Sequence, residues 1–312
     1  MVKKSWNYLY SLLLSIILLL LVGIFLNLNS NESNISNNVV VNKSEHIQDP
    51  EVQKQELFVS EKRTFFMPEI FDQESKETPL LNKFLKDRKK DERRAKIAII
   101  IDDIGYQIEI AEQIMSLNYP VAISVLPFLP HSQFVAQMAK EKGLTVLLHL
   151  PMEPHNANTD PGKGAIFTTM NEHEIKAKIL ANLKDIPNVD GVNNHMGSKA
   201  TEDEFIMRTV LHELKERNLF FIDSMTSPHS IGYQLSKEMG LKTAQRTVFL
   251  DNEQNIDYIR NQVVVLKNTA LKYGSAIAIG HPYCNTVDVL KELESIVEPE
   301  GVEIVPLKEL LK

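Results

Sequence analysis

Short apolar segments alternate with amphipathic segments along the chain from Lys96 onward. The apolar segments are brief and rich in Val, Ile and Leu, which is typical of parallel strands covered on both faces. They span residues 97–101, 121–126, 145–150, 191–193, 219–222, 243–248, 276–279 and 303–305. The alternation predicts an α/β fold, a parallel sheet or barrel of seven or eight strands, in one domain over residues 95–312.

Two of the intervening segments carry signals for the start of a helix. Asn171 is followed three residues later by Glu174, and Thr201 is followed by Glu204 in the same way. This spacing is typical of a capping box, in which two side chains satisfy the free backbone N–H groups of the first helical turn. We therefore expect helices to begin at these two places.

The N-terminal part of the chain has a different pattern. Lys3 and Lys4 precede an apolar run over residues 9–26, which is long enough to cross a bilayer as a helix. The lysines favour a cytoplasmic N-terminus, and the asparagine-rich sequence after the run lacks a small-residue cleavage site. Residues 1–28 are therefore predicted to be an uncleaved membrane anchor rather than a removed signal peptide. Residues 29–94 lack periodicity and are predicted to be a largely disordered polar linker.

The net charge and the cysteine content exclude one class of partner and one kind of metal site. The formal net charge of −7 argues against nucleic-acid binding, which depends on clustered Lys and Arg. The single cysteine, Cys284, rules out a thiolate cluster for structural zinc. Any metal must therefore be held by His, Asp or Glu side chains.

Polar residues follow nearly every predicted strand. Because the carboxyl ends of parallel strands meet at one edge, these side chains are expected to form one shared site. They are Asp102 and Asp103, His149, Asn193 to His195, Asp223 and Ser224, Arg246, Asp251, and Gly280 to Pro282.

Several of these residues have the chemistry of a metal centre. The adjacent carboxylates of Asp102 and Asp103 repel each other when buried, and a cation beside them would relieve that repulsion; capping of the following helix is the alternative. His149, His195 and His281 each end a separate predicted strand. Imidazoles plus one carboxylate, with a position left for water, are the ligands of a catalytic zinc.

Six short motifs, in this order, resemble the divergent polysaccharide deacetylase family, a branch of the NodB-like carbohydrate esterases. The motifs are Ile-Asp-Asp-Ile-Gly at 101–105, His-Leu-Pro-Met-Glu-Pro at 149–154, Asn-Asn-His-Met-Gly-Ser at 193–198, Asp-Ser-Met-Thr at 223–226, Arg246 with Phe-Leu-Asp at 249–251, and Gly-His-Pro at 280–282. The resemblance implies a distorted (β/α) barrel and the metal-dependent removal of acetyl groups from glycans.

The resemblance also implies roles for individual residues. Asp102 matches the general base, Asp103 the metal-binding aspartate and His149 the first metal-binding histidine. His281 resembles the histidine that protonates the leaving group. Asp223 and Arg246 resemble the charged residues that orient and tune Asp102 and His281.

One departure from the family pattern concerns the metal ligands. The main deacetylase family has a second metal histidine four residues after the first, where this chain has Glu153. We predict that His195 supplies the missing imidazole and that zinc is the cation, with Glu153 as the rival ligand. Residues predicted to contact substrate or support the site are Glu153, Asn194, Ser198 and Asp251.

The sequence therefore predicts a membrane-anchored hydrolase with its catalytic domain outside the cytoplasm. Its predicted partners are an acetylated glycan and the membrane, and no nucleic acid. The alternative is a barrel that is weakly active or inactive and that binds a glycan or a protein at the cell envelope.

Overall fold

All strand pairings in residues 94–312, the part of the chain that this computed structural model describes, are parallel. The strands are β1 (Ala95–Ile104), β2 (Ala122–Val125), β3 (Thr145–Met152), β4 (Gly191–Met196), β5 (Phe220–Asp223), β6 (Thr243–Gln245), β7 (Val248–Phe249), β8 (Ser275–Gly280) and β9 (Val302–Ile304). They form one sheet in the order β6-β5-β4-β3-β2-β1-β8-β7, with β9 paired to β1. The predicted parallel α/β architecture is confirmed, with nine strands rather than seven or eight.

Helices follow most of the strands and cover one face of the sheet. They are α1 (Ile108–Met115), α2 (Ser132–Glu141), α3 (Glu172–Asp185), α4 (Glu204–Glu216), α5 (Gly232–Glu238), α6 (Ile256–Tyr273) and α7 (Cys284–Val297). Short 3-10 helices span Ala200–Glu202, Glu298–Glu300 and Leu307–Leu310. The buried helix residues pack with the outward-facing strand residues in the larger of two apolar cores.

The sheet curls because its two edge strands are neighbours in the sequence. Only Arg246 and Thr247 separate β6 from β7, so the facing ends of these strands lie at most about 11 Å apart. The Arg246 N–H donates to Asp223 O on one side of the sheet, while the Thr247 N–H donates to Ile277 O on the other. The apolar run predicted as one strand over 243–248 is therefore two short strands, and the sheet forms a curled half-barrel.

The two-residue period of the strands separates the two cores. In β1, Ile97, Ile99 and Ile101 belong to the larger core, whereas Ala98 and Ile100 belong to a small core inside the curl. The same alternation places polar side chains at the next inward positions, beyond the apolar residues. The carboxyl ends of the strands therefore meet in a polar mouth above an apolar floor.

One of the two predicted helix starts is confirmed, and the other is wrong. Asn171 caps α3, and both hydrogen bonds of its capping box with Glu174 are present. The N-cap of α4 is Asp203, whose side chain accepts from the N–H of Ile206, rather than Thr201. Thr201 lies in a 3-10 turn that comes first, and its hydroxyl donates to Gly197 O.

The described helices do not include a membrane-spanning segment. Over residues 94–312, none is long and apolar enough to cross a bilayer. The predicted anchor at 1–28 and nearly all of the predicted linker at 29–94 lie outside the described residues.

Candidate active site

An irregularity at the end of β1 brings two consecutive carboxylates to one mouth. Ile101 pairs with Ile123 and Ile104 with Val125, so β1 contains one extra residue between these pairs. Asp103 adopts a left-handed backbone with φ of 57°, which is uncommon for a residue other than glycine. In a regular strand, neighbouring side chains point to opposite faces. The extra residue and the left-handed turn let Asp102 and Asp103 both approach the inward side.

The alternative interpretation of Asp102 and Asp103 as the cap of the following helix is wrong, because the N-cap of α1 is Gln107.

The structure brings the three predicted metal ligands together. Asp103 Oδ1 lies 2.9 Å from His195 Nδ1 and 3.2 Å from His149 Nε2. The two imidazole nitrogens lie 3.2 Å apart. One ligand atom from each of the three residues falls within 4.8 Å of the other two, which is close enough for all three to coordinate one ion.

The Asp103 carboxylate is short of hydrogen-bond partners. Among the described residues, no donor reaches its buried Oδ1 with hydrogen-bond geometry, despite the short distances to the imidazoles. Burial alone would raise the pKa of Asp103, but the imidazoles of His149 and His195 hold that pKa well below its ordinary range. Burial opposes protonation of His149, yet the charges of Asp102 and Asp103 raise its pKa. The carboxylate and the two imidazoles offer oxygen and nitrogen ligands of the kind that suit a divalent cation.

Beneath these ligands lies the buried amide of Asn193, which the sequence placed in the shared site without an individual role. Asn193 Oδ1 lies 2.9 Å from His149 Nδ1 and accepts from Ser124 Oγ at 2.6 Å. Its Nδ2 group donates to Asp102 Oδ1 at 2.8 Å and to Ser224 Oγ at 3.3 Å. The signal was present in the sequence, because Asn193 lies two positions before His195 and therefore shares its face of the strand.

His281 approaches the same mouth from β8. Its Nδ1 lies 2.9 Å from Asp251 Oδ1, and its Nε2 lies 3.9 Å from Asp103 Oδ2. The other Asp251 oxygen accepts from the His281 backbone N–H and from Thr286 Oγ1, which fixes the carboxylate. Burial lowers the pKa of His281, but the hydrogen bond and charge of Asp251 outweigh it and raise that pKa to about 9.

A cleft opens beside His281 and Asp103. Its volume is about 340 Å³, and its wall includes Ile110 and the side chains of Tyr106 and Tyr283. Tyr106 is 62% exposed, and the rings of His281 and Tyr283 have centroids 5.7 Å apart. The low aromatic content of the sequence gave no indication of this wall, which residues far apart in the sequence create.

The sequence model of the divergent polysaccharide deacetylase family matches residues 99–311. The chain belongs to this family. The match includes all of the residues in the cluster and in the cleft described above.

Two curated relatives are similar to this chain in sequence, and one crystal structure is similar in fold. An uncharacterized protein of Haemophilus influenzae is 33% identical over 218 residues, which are 70% of this chain and 77% of that protein. Uncharacterized protein YibQ of Escherichia coli is 37% identical over 205 residues, which are 66% of this chain and 64% of YibQ. Uncharacterized protein ATU2773 of Agrobacterium tumefaciens shares the fold, with a TM-score of 0.67 at 21% identity, over 70% of this chain and 90% of that chain.

Asp223 and Arg246 are the residues that the family resemblance matches to orienting roles. Asp223 is the last residue of β5, and Arg246 is the first residue after β6. The Asp223 carboxylate accepts from the N–H groups of Met225 and Tyr233 and from Ser230 Oγ. Within residues 94–312, its hydrogen bonds reach neither Asp102 nor His281, so the orienting role of Asp223 stays a prediction. It braces the β5–α5 loop, and Asp251 is the carboxylate that contacts His281.

Arg246 lies close to the site without contacting a catalytic group directly. Its guanidinium donates to the carbonyl oxygens of Ser224 and Met225 and lies 4.9 Å from the ring centroid of Phe249. Burial lowers its pKa, whereas the charges of Asp102 and Asp223 favour the protonated form. Arg246 therefore supplies positive charge behind Asp102 and ties the β5–α5 loop to the edge of the half-barrel.

The remaining predicted residues support loops around the mouth. Glu153 accepts from the Thr168 N–H and hydroxyl at 2.6 Å and pairs with Lys199 at 2.7 Å, outside the three-ligand cluster. Asn194 is fully buried and accepts from the Ser224 N–H. Ser198 Oγ accepts from the backbone N–H of His155. These contacts hold the loops after β3, β4 and β5 together.

Proposed function

We propose that the chain is a metal-dependent hydrolase that removes acetyl groups from a glycan of the cell envelope. The observation that carries this proposal is the convergence of Asp103, His149 and His195 on one point. Two imidazole nitrogens and one carboxylate oxygen are a common ligand set of catalytic zinc, which keeps a further position open. Asp103 Oδ1 is buried and has no hydrogen-bond partner within residues 94–312, so it fits a cation better than it fits a closed polar network.

The bound cation would supply Lewis-acid activation of the acetyl carbonyl and of a water molecule. Asp102 lies at the rim of the cluster, with Oδ2 3.6 Å from His149 Nε2, and it would accept a proton from the attacking water. The water oxygen forms the new bond to the carbonyl carbon. His281 then gives its proton to the departing nitrogen or oxygen as the bond to the acetyl carbon breaks, which yields acetate and a free amine or hydroxyl.

The geometry around His281 supports its role as the proton donor. Asp251 binds Nδ1 and so leaves the Nε2 proton directed toward the cluster. With a pKa of about 9, the imidazole carries the proton at neutral pH. The proton is lost as the pH rises through that value, so activity that requires it should fall on the alkaline side.

The substitution Asp251→Asn should shift this alkaline limb to lower pH. Without the carboxylate charge, the pKa of His281 returns toward its ordinary value of 6.5, because burial then opposes the protonated form. The measurement is kcat/KM for acetate release against pH, with an NMR titration of the His281 ring. Asp257→Asn, on the exposed first turn of α6, is the matched control and should keep the wild-type profile. An unshifted limb in Asp251→Asn would contradict the role of His281.

The cleft beside His281 suits the sugar that leaves. A pyranose ring has an apolar face, and aromatic side chains bind such surfaces while their hydroxyls remain in water. Tyr106 and Tyr283 lie on the side from which His281 would protonate the leaving group. A volume of about 340 Å³ is in the range of small-ligand pockets. These features support an acetylated glycan as the substrate.

Replacing Tyr106 or Tyr283 with Ala should raise the KM for an acetylated chito-oligosaccharide. An aromatic contact is worth about 0.5–1.5 kcal/mol, so kcat/KM should fall roughly 2- to 10-fold. The loss should be smaller for 4-nitrophenyl acetate, which carries no sugar. Tyr273→Ala is the matched control, since Tyr273 is 69% exposed at the end of α6 and outside the cleft. Equal losses on both substrates would argue against a sugar-binding wall.

The test of the proposed function combines metal analysis of the purified chain with an acetate-release assay. Substrates are acetylated chito-oligosaccharides and peptidoglycan, assayed before and after treatment with a chelator and re-addition of zinc. We expect one zinc per chain and acetate release that the chelator abolishes and zinc restores. A chain without metal that still binds glycan would favour the non-catalytic alternative.

We also propose that the domain lies outside the cytoplasm, held by the predicted anchor at residues 1–28. The supporting observations are Lys3, Lys4 and the apolar run in the sequence. Protease treatment of intact spheroplasts should digest the domain while a cytoplasmic marker survives. Protection of the domain would contradict this topology.

A further inference from the structure

We propose that Asn193 is a positioning residue that fixes the proton of His149 and the orientation of Asp102 at the same time. The inference rests on the proposed function, since it assigns Asn193 a task within that metal site. Asn193 is 0% exposed and lies in β4, directly opposite His149 in the strand register. Its side chain contacts both the predicted metal ligand and the predicted base, which lie on different strands.

The hydrogen-bond chemistry of Asp102 determines which way the amide faces. An ionised carboxylate only accepts hydrogen bonds, so the group 2.8 Å from Asp102 Oδ1 must be the amide NH2 of Asn193. The amide oxygen then faces His149 Nδ1 at 2.9 Å. That oxygen also only accepts, so Nδ1 of His149 must carry a proton. The other nitrogen, Nε2, is the one that faces Asp103 and His195, and it is left to bind a cation.

Two serines complete the bonding of this amide. The Ser124 hydroxyl donates to Oδ1, and Ser224 Oγ accepts from Nδ2. With the bonds to His149 and Asp102, the two lone pairs and two N–H groups of Asn193 are all used. Turning the amide over would set its oxygen against the Asp102 carboxylate and its N–H against Nδ1, so only one orientation satisfies the network. One buried side chain therefore couples the metal ligand to the base.

The coupling predicts different results for two substitutions of Asn193. Asn193→Leu removes both contacts, so zinc affinity and kcat should each fall about 10- to 100-fold. Asn193→Asp keeps an acceptor for His149 Nδ1 but loses the donor to Asp102 and places a second carboxylate beside it. That variant should retain zinc affinity while kcat falls by a similar factor of about 10 to 100. Calorimetry with zinc and acetate release give the two readouts.

Asn182→Leu is the matched control. Asn182 is also 0% exposed, but its amide donates to Gly164 O and bonds to none of the cluster residues. Circular dichroism should show similar secondary-structure content for the two Leu variants, and thermal unfolding should show similar decreases in Tm. Only Asn193→Leu should lose zinc affinity, because only Asn193 contacts a ligand.

A further measurement does not depend on the Leu variant folding. Long-range proton–nitrogen NMR on the wild-type chain should show a proton on His149 Nδ1, held in a hydrogen bond, with and without zinc. An unprotonated Nδ1, or wild-type zinc affinity in folded Asn193→Leu, would overturn the inference. Zinc binding that depends on Asn193 without acetate release would instead refute only the proposed hydrolase.

Discussion

Asp103→Asn is expected to lose bound metal and acetate release together. Asp103 provides the only carboxylate among the three converging ligands, and an amide oxygen is a much weaker ligand than a carboxylate. Asn tolerates the left-handed backbone at this position better than Ala, so the loss of metal would not reflect a changed loop. Lewis-acid activation is worth several kcal/mol, so kcat/KM should fall by about a thousandfold or more. Metal analysis after dialysis and the acetate assay measure both losses.

Glu153→Gln is the control that separates the two candidate ligand sets. Glu153 pairs with Lys199 and accepts from Thr168, so its replacement should leave the metal content at the wild-type level. The opposite pattern, in which Glu153→Gln loses metal and Asp103→Asn retains it, would show that the ligand set at this site is not Asp103 with His149 and His195.

His281→Gln should reduce the hydrolysis of an N-acetylated glycan by about 10²- to 10⁴-fold, the usual contribution of a general acid. An amine cannot leave without a proton, and the structure directs Nε2 of His281 toward the cluster. The phenolate of 4-nitrophenyl acetate leaves without protonation. The loss on that ester should therefore be much smaller, and comparing kcat/KM for the two substrates isolates the proton-donating role.

His212→Gln provides the matched histidine control for this experiment. His212 is exposed on α4, where it lies 4.0 Å from Glu213, and it should keep wild-type rates on both substrates. If His281→Gln lost the same factor on the ester as on the glycan, His281 would be supporting the structure or the metal ligands rather than donating a proton.

Left-handed backbone conformations recur where strands end at the mouth. Asp103 lies near the end of β1, Met196 is the last residue of β4, and Met225 comes shortly after β5. Their φ angles are between 50° and 57°. Residues other than glycine seldom adopt this conformation unless the surrounding structure compensates, and such residues cluster at functional sites. Here the conformation at Asp103 brings consecutive carboxylates into one site.

The sequence alone determined the parallel α/β fold and the set of strands that end in polar residues. Hydrophobic periodicity is a local property that locates each strand. Because parallel strands have their carboxyl ends at the same edge of the sheet, the polar residues that follow them are predicted to share one site. These two steps brought Asp102, Asp103, His149, His195 and His281 into one predicted site. The resemblance to the deacetylase family then implied Asp103 and His149 as metal ligands, with His195 predicted as the third, and the structure places these three around one point.

Only the tertiary structure decided which polar side chains contact these site residues. Asn193 and Asp102 are 91 positions apart, and the sequence indicated an individual supporting role for Asn194 but none for Asn193. Asp251 rather than Asp223 contacts His281, and Glu153 turns to Lys199 and away from the cluster. Such choices depend on how loops bend after a strand ends and on the pairing register between distant strands. Neither the loop conformation nor the register produces a periodic pattern in the sequence, so both can be read only from the tertiary structure.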